Sequence, residues 1–269
     1  MHTKYNLHTL SILIAITIVF GTLLSSSTSA QTQPPRTLRT NPQSVPFNPA
    51  NTQEVIQLFR SLKTTDLPAW LHSTLSSAKA QQSDNDAFAR ATWLSQLHIV
   101  QDQTTCARLK QQTASVLKLF GRHETVQFFI YLDNYPNLQT IAGSYLGFST
   151  GLIHLLKRDT PDNAQLNGLV AHELARGIQR ERFIEAWKNE DVRTIRAFEL
   201  FYDAVATAAL NHLRLSSQQY ALILQRMIAT STVNSTDRTR HPDLEQRQSL
   251  IRTIALAQSP ITPITTTVN

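Results

Sequence analysis

Glycine, cysteine and long apolar runs are scarce in this 269-residue chain, and each scarcity excludes a class of protein. With only seven glycines, the chain contains neither the G-x-G-x-x-G pattern nor a P-loop, so no motif supports nucleotide chemistry. Its single cysteine, Cys106, excludes an intrachain disulfide framework and a cysteine-rich zinc module. Beyond residue 30, no apolar run reaches the ~20 residues that a membrane helix requires.

Positive charge is present in excess but is not concentrated. The formal net charge of +6 is spread along the chain, and the densest basic stretch, Arg176–Arg182, holds three arginines with an acid among them. Nucleic-acid binding usually requires clustered lysine and arginine with interleaved aromatic residues. The sequence therefore predicts no nucleic-acid partner. Because 41% of the residues are hydrophobic and 16% are charged, it also predicts a buried core.

The first thirty residues have the pattern of a secretory signal peptide. Lys4 precedes the apolar run Leu10–Leu24, and the small residues Ser25–Ala30 favour cleavage just before Gln31. This run is shorter than a membrane helix requires, and an uncleaved anchor is the alternative interpretation. We therefore predict an exported chain, periplasmic or secreted, without a stable membrane span after cleavage.

Composition divides the remainder into a linker, one domain and a tail. Residues 31–50 are rich in Pro, Thr, Asn and Gln and predict an extended linker. Residues 51–258 predict a single domain with a helical N-terminal part (51–121) and a core (122–258), followed by a disordered tail at 259–269.

Periodicity predicts an α+β fold that is mainly helical with one small sheet. Extended segments are predicted over Thr125–Leu132 and Gln139–Ser149, joined by a turn at Asp133–Asn137. Helices are predicted from Asn51 onward and over Pro68–Lys79, Asn85–Val100, Thr104–Phe120, Thr150–Lys157, Pro161–Arg182, Val192–Leu215, Gln218–Ala229 and Pro242–Gln258.

One helical stretch, Gly168–Arg176, carries most of the chemistry that the sequence suggests. In the H-E-x-x-H pattern, two histidines one turn apart bind a metal and the glutamate activates a metal-bound water. This chain has His172 and Glu173, but Arg176 stands at the second histidine position. A guanidinium has no lone pair to donate, so Arg176 cannot be a ligand. Taken alone, a His-Glu pair on a helix is more often an ordinary capping or core pair.

Four further stretches of the sequence change that interpretation. Upstream stand Pro136-Asn137 and the glycine-containing stretch Gly143–Ile153; downstream stand Glu199–Ala204 and His241–Arg247. In this order, over Asn137–Leu250, they resemble the CAAX prenyl protease and HtpX family of zinc metallopeptidases. The resemblance implies a zincin-like domain with an active-site helix, a zinc cofactor and a polypeptide substrate.

The resemblance also implies roles for individual residues. His172 matches the first zinc ligand, Glu199 the third, and His241 a histidine near the metal that can add a further ligand. Glu173 matches the catalytic base, and Asp203 the acid that family members place one turn after the third ligand. The substrate would add as a strand to the edge that contains Asn137, Gly143, Ser144 and Tyr145.

Arg176 leaves three interpretations open. In the one we favour, its guanidinium takes the place of the metal and pairs with Glu173 or Glu199, which gives an inactive pseudopeptidase that binds a polypeptide client. In the second, His172, Glu199 and His241 still bind zinc and the chain is an active metalloendopeptidase. In the third, the resemblance is accidental and the chain is an unrelated helical binding domain of the cell envelope.

Overall fold

Helices surround one small sheet in the part of the chain that the structure describes. The structure is a computed structural model that describes residues 48–79, 94–141, 145–156, 163–230 and 240–258. The predicted signal peptide, most of the predicted linker and the predicted tail lie outside these residues. Within them, the prediction of a mainly helical α+β fold is confirmed.

The N-terminal helices follow the predicted apolar periodicity. Helix α1 (Thr52–Ser61) is capped by Asn51, whose side chain accepts hydrogen bonds from the backbone amides of Gln53 and Glu54, and it buries Val55 and Phe59. Helix α2 spans Leu67–Lys79, close to its predicted bounds.

Two of the predicted helices differ in the structure. The predicted helix Asn85–Val100 lies mostly outside the described residues, and its end is wrong because Ile99–Val100 form strand β1. These two β-branched residues pair antiparallel with the strand that follows. The predicted helix Thr104–Phe120 is two helices, α3 (Gln103–Gln112) and α4 (Ala114–Leu119). They meet at Thr113, which leaves the helical conformation and whose hydroxyl donates to the Leu109 carbonyl at 2.8 Å.

The sheet has the strand order β1-β2-β4-β3, with β2 at Gln127–Tyr131, β3 at Leu138–Ile141 and β4 at Tyr145–Ser149. Strands β2 and β4 are parallel, and the other pairs are antiparallel. The predicted segment Gln139–Ser149 is therefore two strands of a hairpin.

The predicted edge strand is wrong for Tyr145. This residue lies in β4, which is paired on both sides, and the next four residues of β4 are buried because both of its faces are covered. Within the described residues, the edge on this side of the sheet is β3, which directly follows Asn137. Gly143 and Ser144 lie outside the described residues.

The C-terminal half places one buried helix among several others. Helix α6 (Ala164–Ala175) buries all twelve of its residues, and a turn ends it earlier than predicted, with Gln179 at a positive φ of 52°. The remaining helices are α5 (Thr150–Leu156), α7 (Arg180–Lys188), α8 (Val192–His212), α9 (Ser217–Thr230) and α10 (Leu244–Gln258). Helix α6 packs against α8, α9 and β3, so any polar group on it must find a partner inside the protein. In the described ranges, no helix has both the length and the hydropathy that crossing a membrane demands.

Candidate functional site

Four charged or ionisable side chains are buried where helices α6 and α8 face each other. His172 and Glu173 on α6 are 6% and 5% exposed, and Glu199 and Asp203 on α8 are 2% and 0% exposed. Glu199 and Asp203 are four residues apart and therefore project from the same face of α8. Buried charges are costly unless they are paired, so the contacts among these groups decide what the site can do.

The imidazole of His172 lies between the two carboxylates of α8. Its Nδ1 is 2.9 Å from Oδ1 of Asp203, and its Nε2 is 3.4 Å from Oε2 of Glu199. Burial would lower the pKa of His172, but the hydrogen bonds to Asp203 and Glu199 outweigh burial and raise it. The structure thus brings together three residues that the resemblance assigned to one site.

The guanidinium of Arg176 lies between the carboxylates of Glu173 and Glu199. Its Nη2 donates to Oε1 of Glu199 at 2.9 Å, and its Nε is 3.4 Å from Oε1 of Glu173. Burial would lower the pKa of Arg176, but Glu173 and Glu199 raise it, so the side chain stays charged. Burial would likewise raise the pKa of Glu199, but Arg176 and then His172 hold it well below its usual range. For Glu173, burial dominates and raises the pKa.

His241 completes the group from the segment that precedes α10. Its Nδ1 is 3.5 Å from Oε2 of Glu199, and its side chain is 44% exposed. Glu199 therefore faces a cationic or imidazole group at each of its oxygens: Arg176 at Oε1, and His172 and His241 at Oε2. The structure therefore brings together the six residues predicted around the H-E-x-x-H position: His172, Glu173, Arg176, Glu199, Asp203 and His241.

Arg247 and Tyr220 also belong to the site, although the sequence assigned no role to either. Nε and Nη2 of Arg247 each donate to a different oxygen of Asp203 at 2.7 Å, a bidentate pair inside the protein. The Tyr220 hydroxyl donates to Oδ1 of Asp203 at 2.6 Å and lies 3.1 Å from Nδ1 of His172. Burial would raise the pKa of Asp203, but Arg247, followed by His172, lowers it to about 2. Asp203 is therefore a fixed anion that orients the His172 ring.

Gly168 explains how Tyr220 reaches this position. A Cβ on Gly168 would clash with Cδ2 of Tyr220 and lie 2.8 Å from its Cβ, so only glycine permits this approach of α9 to α6. We expect Gly168→Ala to lower the free energy of unfolding by about 1–2 kcal/mol, because overpacking outweighs the gain in helix propensity. Urea unfolding followed by circular dichroism measures this change.

Gly177→Ala is the matched control for that substitution. A Cβ on Gly177 would meet a terminal methyl group of Leu75 at 3.2 Å, which can move, and the carbonyl oxygen of Leu174 at 3.3 Å, which is the only backbone contact. We expect the control to change the free energy of unfolding by less than about 0.5 kcal/mol. Equal effects of the two substitutions would contradict the tight contact at Tyr220.

Arg176 occupies the position of the second histidine without offering a lone pair to a metal. Its guanidinium fills the space beside Oε1 of Glu199. Among the residues that the structure describes, no group of three or more His, Cys, Asp or Glu side chains is placed to hold a metal ion. The carboxylates of Glu173 and Glu199 are compensated by a side-chain cation instead.

Strand β3 borders this cluster. Burial raises the pKa of Glu173, and the backbone amide of Thr140 opposes part of that rise, so the edge strand lies beside this carboxylate. Three buried atoms in this region have no hydrogen-bond partner: Oγ1 of Thr140, Oε2 of Glu173 and Nε of Arg176. The entry to β3 is fixed by Ser149, whose hydroxyl accepts from the Asn137 amide at 2.8 Å and donates to the Tyr135 carbonyl at 2.6 Å.

No protein-family model matches this chain, and no curated protein matches it either.

Proposed function

We propose that this chain is a pseudopeptidase: an exported protein with a zincin-like domain that binds extended polypeptides and does not cleave them. The observation that carries the proposal is the 2.9 Å contact between Nη2 of Arg176 and Oε1 of Glu199, beside His172. In that contact a side-chain cation stands where the resemblance implies a metal. The signal pattern at residues 1–30 supports export to the cell envelope.

Hydrolysis of a peptide bond needs an activated water as well as a polarised carbonyl. A guanidinium can donate hydrogen bonds to a carbonyl, but it has no lone pair and no open coordination position at which to bind and acidify water. Glu173, the base implied by the resemblance, is buried and lies 3.4 Å from the same guanidinium. This arrangement supports binding without cleavage.

Strand β3 supplies the surface on which a polypeptide would bind. The Ser149 amide donates to the Asn137 carbonyl at 3.0 Å, and backbone groups in an antiparallel pair alternate between facing the partner and facing away. The backbone groups of Leu138 and Thr140 are therefore directed away from β4. An extended chain can pair with an edge of this kind by strand addition.

Peptide binding by two variants of Leu138, the first residue of β3, tests the proposal. Proline has no amide hydrogen and is tolerated at the first residue of an edge strand, so Leu138→Pro should weaken binding of a randomised decapeptide pool at least 10-fold. Leu138→Val keeps the backbone amide and should bind like the unmodified chain. Retention of the pool on immobilised protein measures binding, and mass spectrometry of the recovered peptides measures cleavage.

Two results of that experiment would contradict the proposal. One is the absence of binding by any pool, and the other is cleavage that depends on added zinc and is lost in Glu173→Gln. The second result would support an active metallopeptidase. That alternative is favoured by the approach of His172 and His241 to the same oxygen of Glu199, at 3.4 and 3.5 Å.

A further inference from the structure

Arg176 has hydrogen-bonding capacity that its partners do not use. A guanidinium carries five N–H donors in a planar fork. The edge formed by Nε and Nη2 faces Glu173 and Glu199, and one hydrogen bond results, from Nη2. Among the described residues, no acceptor contacts Nη1. The side chain is 30% exposed, so this free corner of the fork is open to solvent.

The surroundings of Arg176 restrict where a ligand can approach. Oε2 of Glu173 is buried without a donor, and it would repel an anion placed on the inner side of the guanidinium. On the other side of Glu199, His241 is half-exposed. An anion can therefore approach the guanidinium from solvent, at Nη1. Strand β3 lies on the Glu173 side of the guanidinium, because the Thr140 backbone acts on the Glu173 carboxylate.

We propose that the free corner of Arg176 binds a carboxylate of the polypeptide that pairs with β3. This inference rests on the proposed polypeptide binding and names the chemistry that the site selects. The carboxylate can be the C-terminus of the polypeptide or an Asp or Glu side chain. In either case one N–H of Nη1 and the remaining N–H of Nη2 meet it end-on.

A charged ligand group is favoured over the neutral carbonyl that a peptidase would hold. Hydrogen bonds between charged partners contribute roughly twice as much as hydrogen bonds between neutral ones. Glu173 and Glu199 both lie along the edge of the guanidinium that Nε and Nη2 form. A third carboxylate at Nη1 can therefore bind without displacing either of them. Such capture of terminal carboxylates is a recurrent mode of peptide recognition.

Competition between peptide pools tests this inference on the unmodified full chain. Randomised decapeptides without Asp or Glu are prepared as free acids and as C-terminal amides with distinct mass tags, and a third amidated pool carries one Glu at varied positions. Immobilised protein is incubated with all three pools, and mass spectrometry gives their retained ratios. We expect about 10-fold enrichment of at least one carboxylate pool over the plain amide, decreasing as salt rises.

Each outcome of the competition has one interpretation. Enrichment of the free acid identifies the C-terminus as the ligand, and enrichment of the Glu pool identifies an acidic side chain. Equal retention of all three pools overturns the inference and leaves the proposed function standing. Absence of retention of every pool overturns the proposed function and the inference with it.

Two variants connect the enrichment to Arg176. Arg176→Lys keeps the charge but removes the planar fork, and we expect it to lose most of the preference while still binding the amide pool. Arg252→Gln changes the charge on an exposed face of α10 and should leave the preference unchanged. If Arg176→Lys retains the full preference for carboxylate-bearing peptides, Arg176 is not the cause of that preference.

Discussion

Arg176→His is expected to convert the chain into a zinc-binding protein. The residue lies one turn after His172 and its side chain already reaches Glu199, so an imidazole there would complete a set of two histidines and one carboxylate. Removal of the guanidinium also removes the fixed positive charge that opposes a dication. After dialysis against zinc-free buffer, we expect about one zinc per variant chain, against none retained by the unmodified chain; elemental analysis gives both values.

Arg182→His is the control for that gain. Arg182 lies on α7 near the site in sequence, but its guanidinium contacts Gln179 and Asn48 rather than the buried carboxylates. Zinc bound equally by both variants would indicate adventitious binding by a new histidine. A folded Arg176→His chain that binds no zinc would contradict the resemblance on which the proposed function rests.

Arg247→Met is expected to cause the largest loss of stability. Asp203 is fully buried, and Arg247 holds it through two hydrogen bonds of 2.7 Å. Removal of one partner of a buried ion pair leaves an uncompensated charge and typically costs 3–5 kcal/mol. His172 and Tyr220 still contact Asp203, so we expect a loss of about 3 kcal/mol in the free energy of unfolding, measured by urea denaturation.

Arg252→Met provides the comparison on the same helix. Arg252 is exposed on α10, so its replacement should change the free energy of unfolding by less than about 0.5 kcal/mol. A loss below about 1 kcal/mol in Arg247→Met would show that Asp203 does not depend on this pair. Some other interaction would then have to hold Asp203 in the position from which it orients the His172 ring.

Apolar periodicity predicted the ranges of the long C-terminal helices well, but it did not predict the short strands and their order. Helices α8, α9 and α10 follow their predicted ranges closely because each buries a continuous apolar stripe. Strand β1 has two residues and exists through its pairing with β2, which no local pattern in Ile99–Val100 reveals. The position of β4 between β2 and β3 likewise depends on contacts between distant segments of the chain. For this reason the sequence did not identify the edge strand correctly.

The order of the motifs predicted which residues form the site. The hydrogen bonds of Tyr220 and Arg247 to Asp203 could be found only in the structure. His172, Glu173, Glu199, Asp203 and His241 could be named because each occurs in a recognisable local pattern. Tyr220 stands in no motif, and it reaches Asp203 because Gly168 lets α9 approach α6. A glycine at the centre of a buried helix was the one available signal of such an approach.

The sequence left open whether Glu173 or Glu199 would be the carboxylate partner of Arg176. Both carboxylates face it, at 3.4 and 2.9 Å, because α6 and α8 present them on converging faces. The side chain thereby compensates two buried acids at once, which is the physical basis of the proposed loss of metal.

Anomalous diffraction at the zinc absorption edge, from crystals of the unmodified chain soaked in zinc, tests the central claim most directly. We predict no anomalous peak within about 3 Å of both Nε2 of His172 and the Glu199 carboxylate, with electron density for the Arg176 guanidinium between Glu173 and Glu199. A peak at about 2 Å from His172 and Glu199, with Arg176 turned towards solvent, would contradict it.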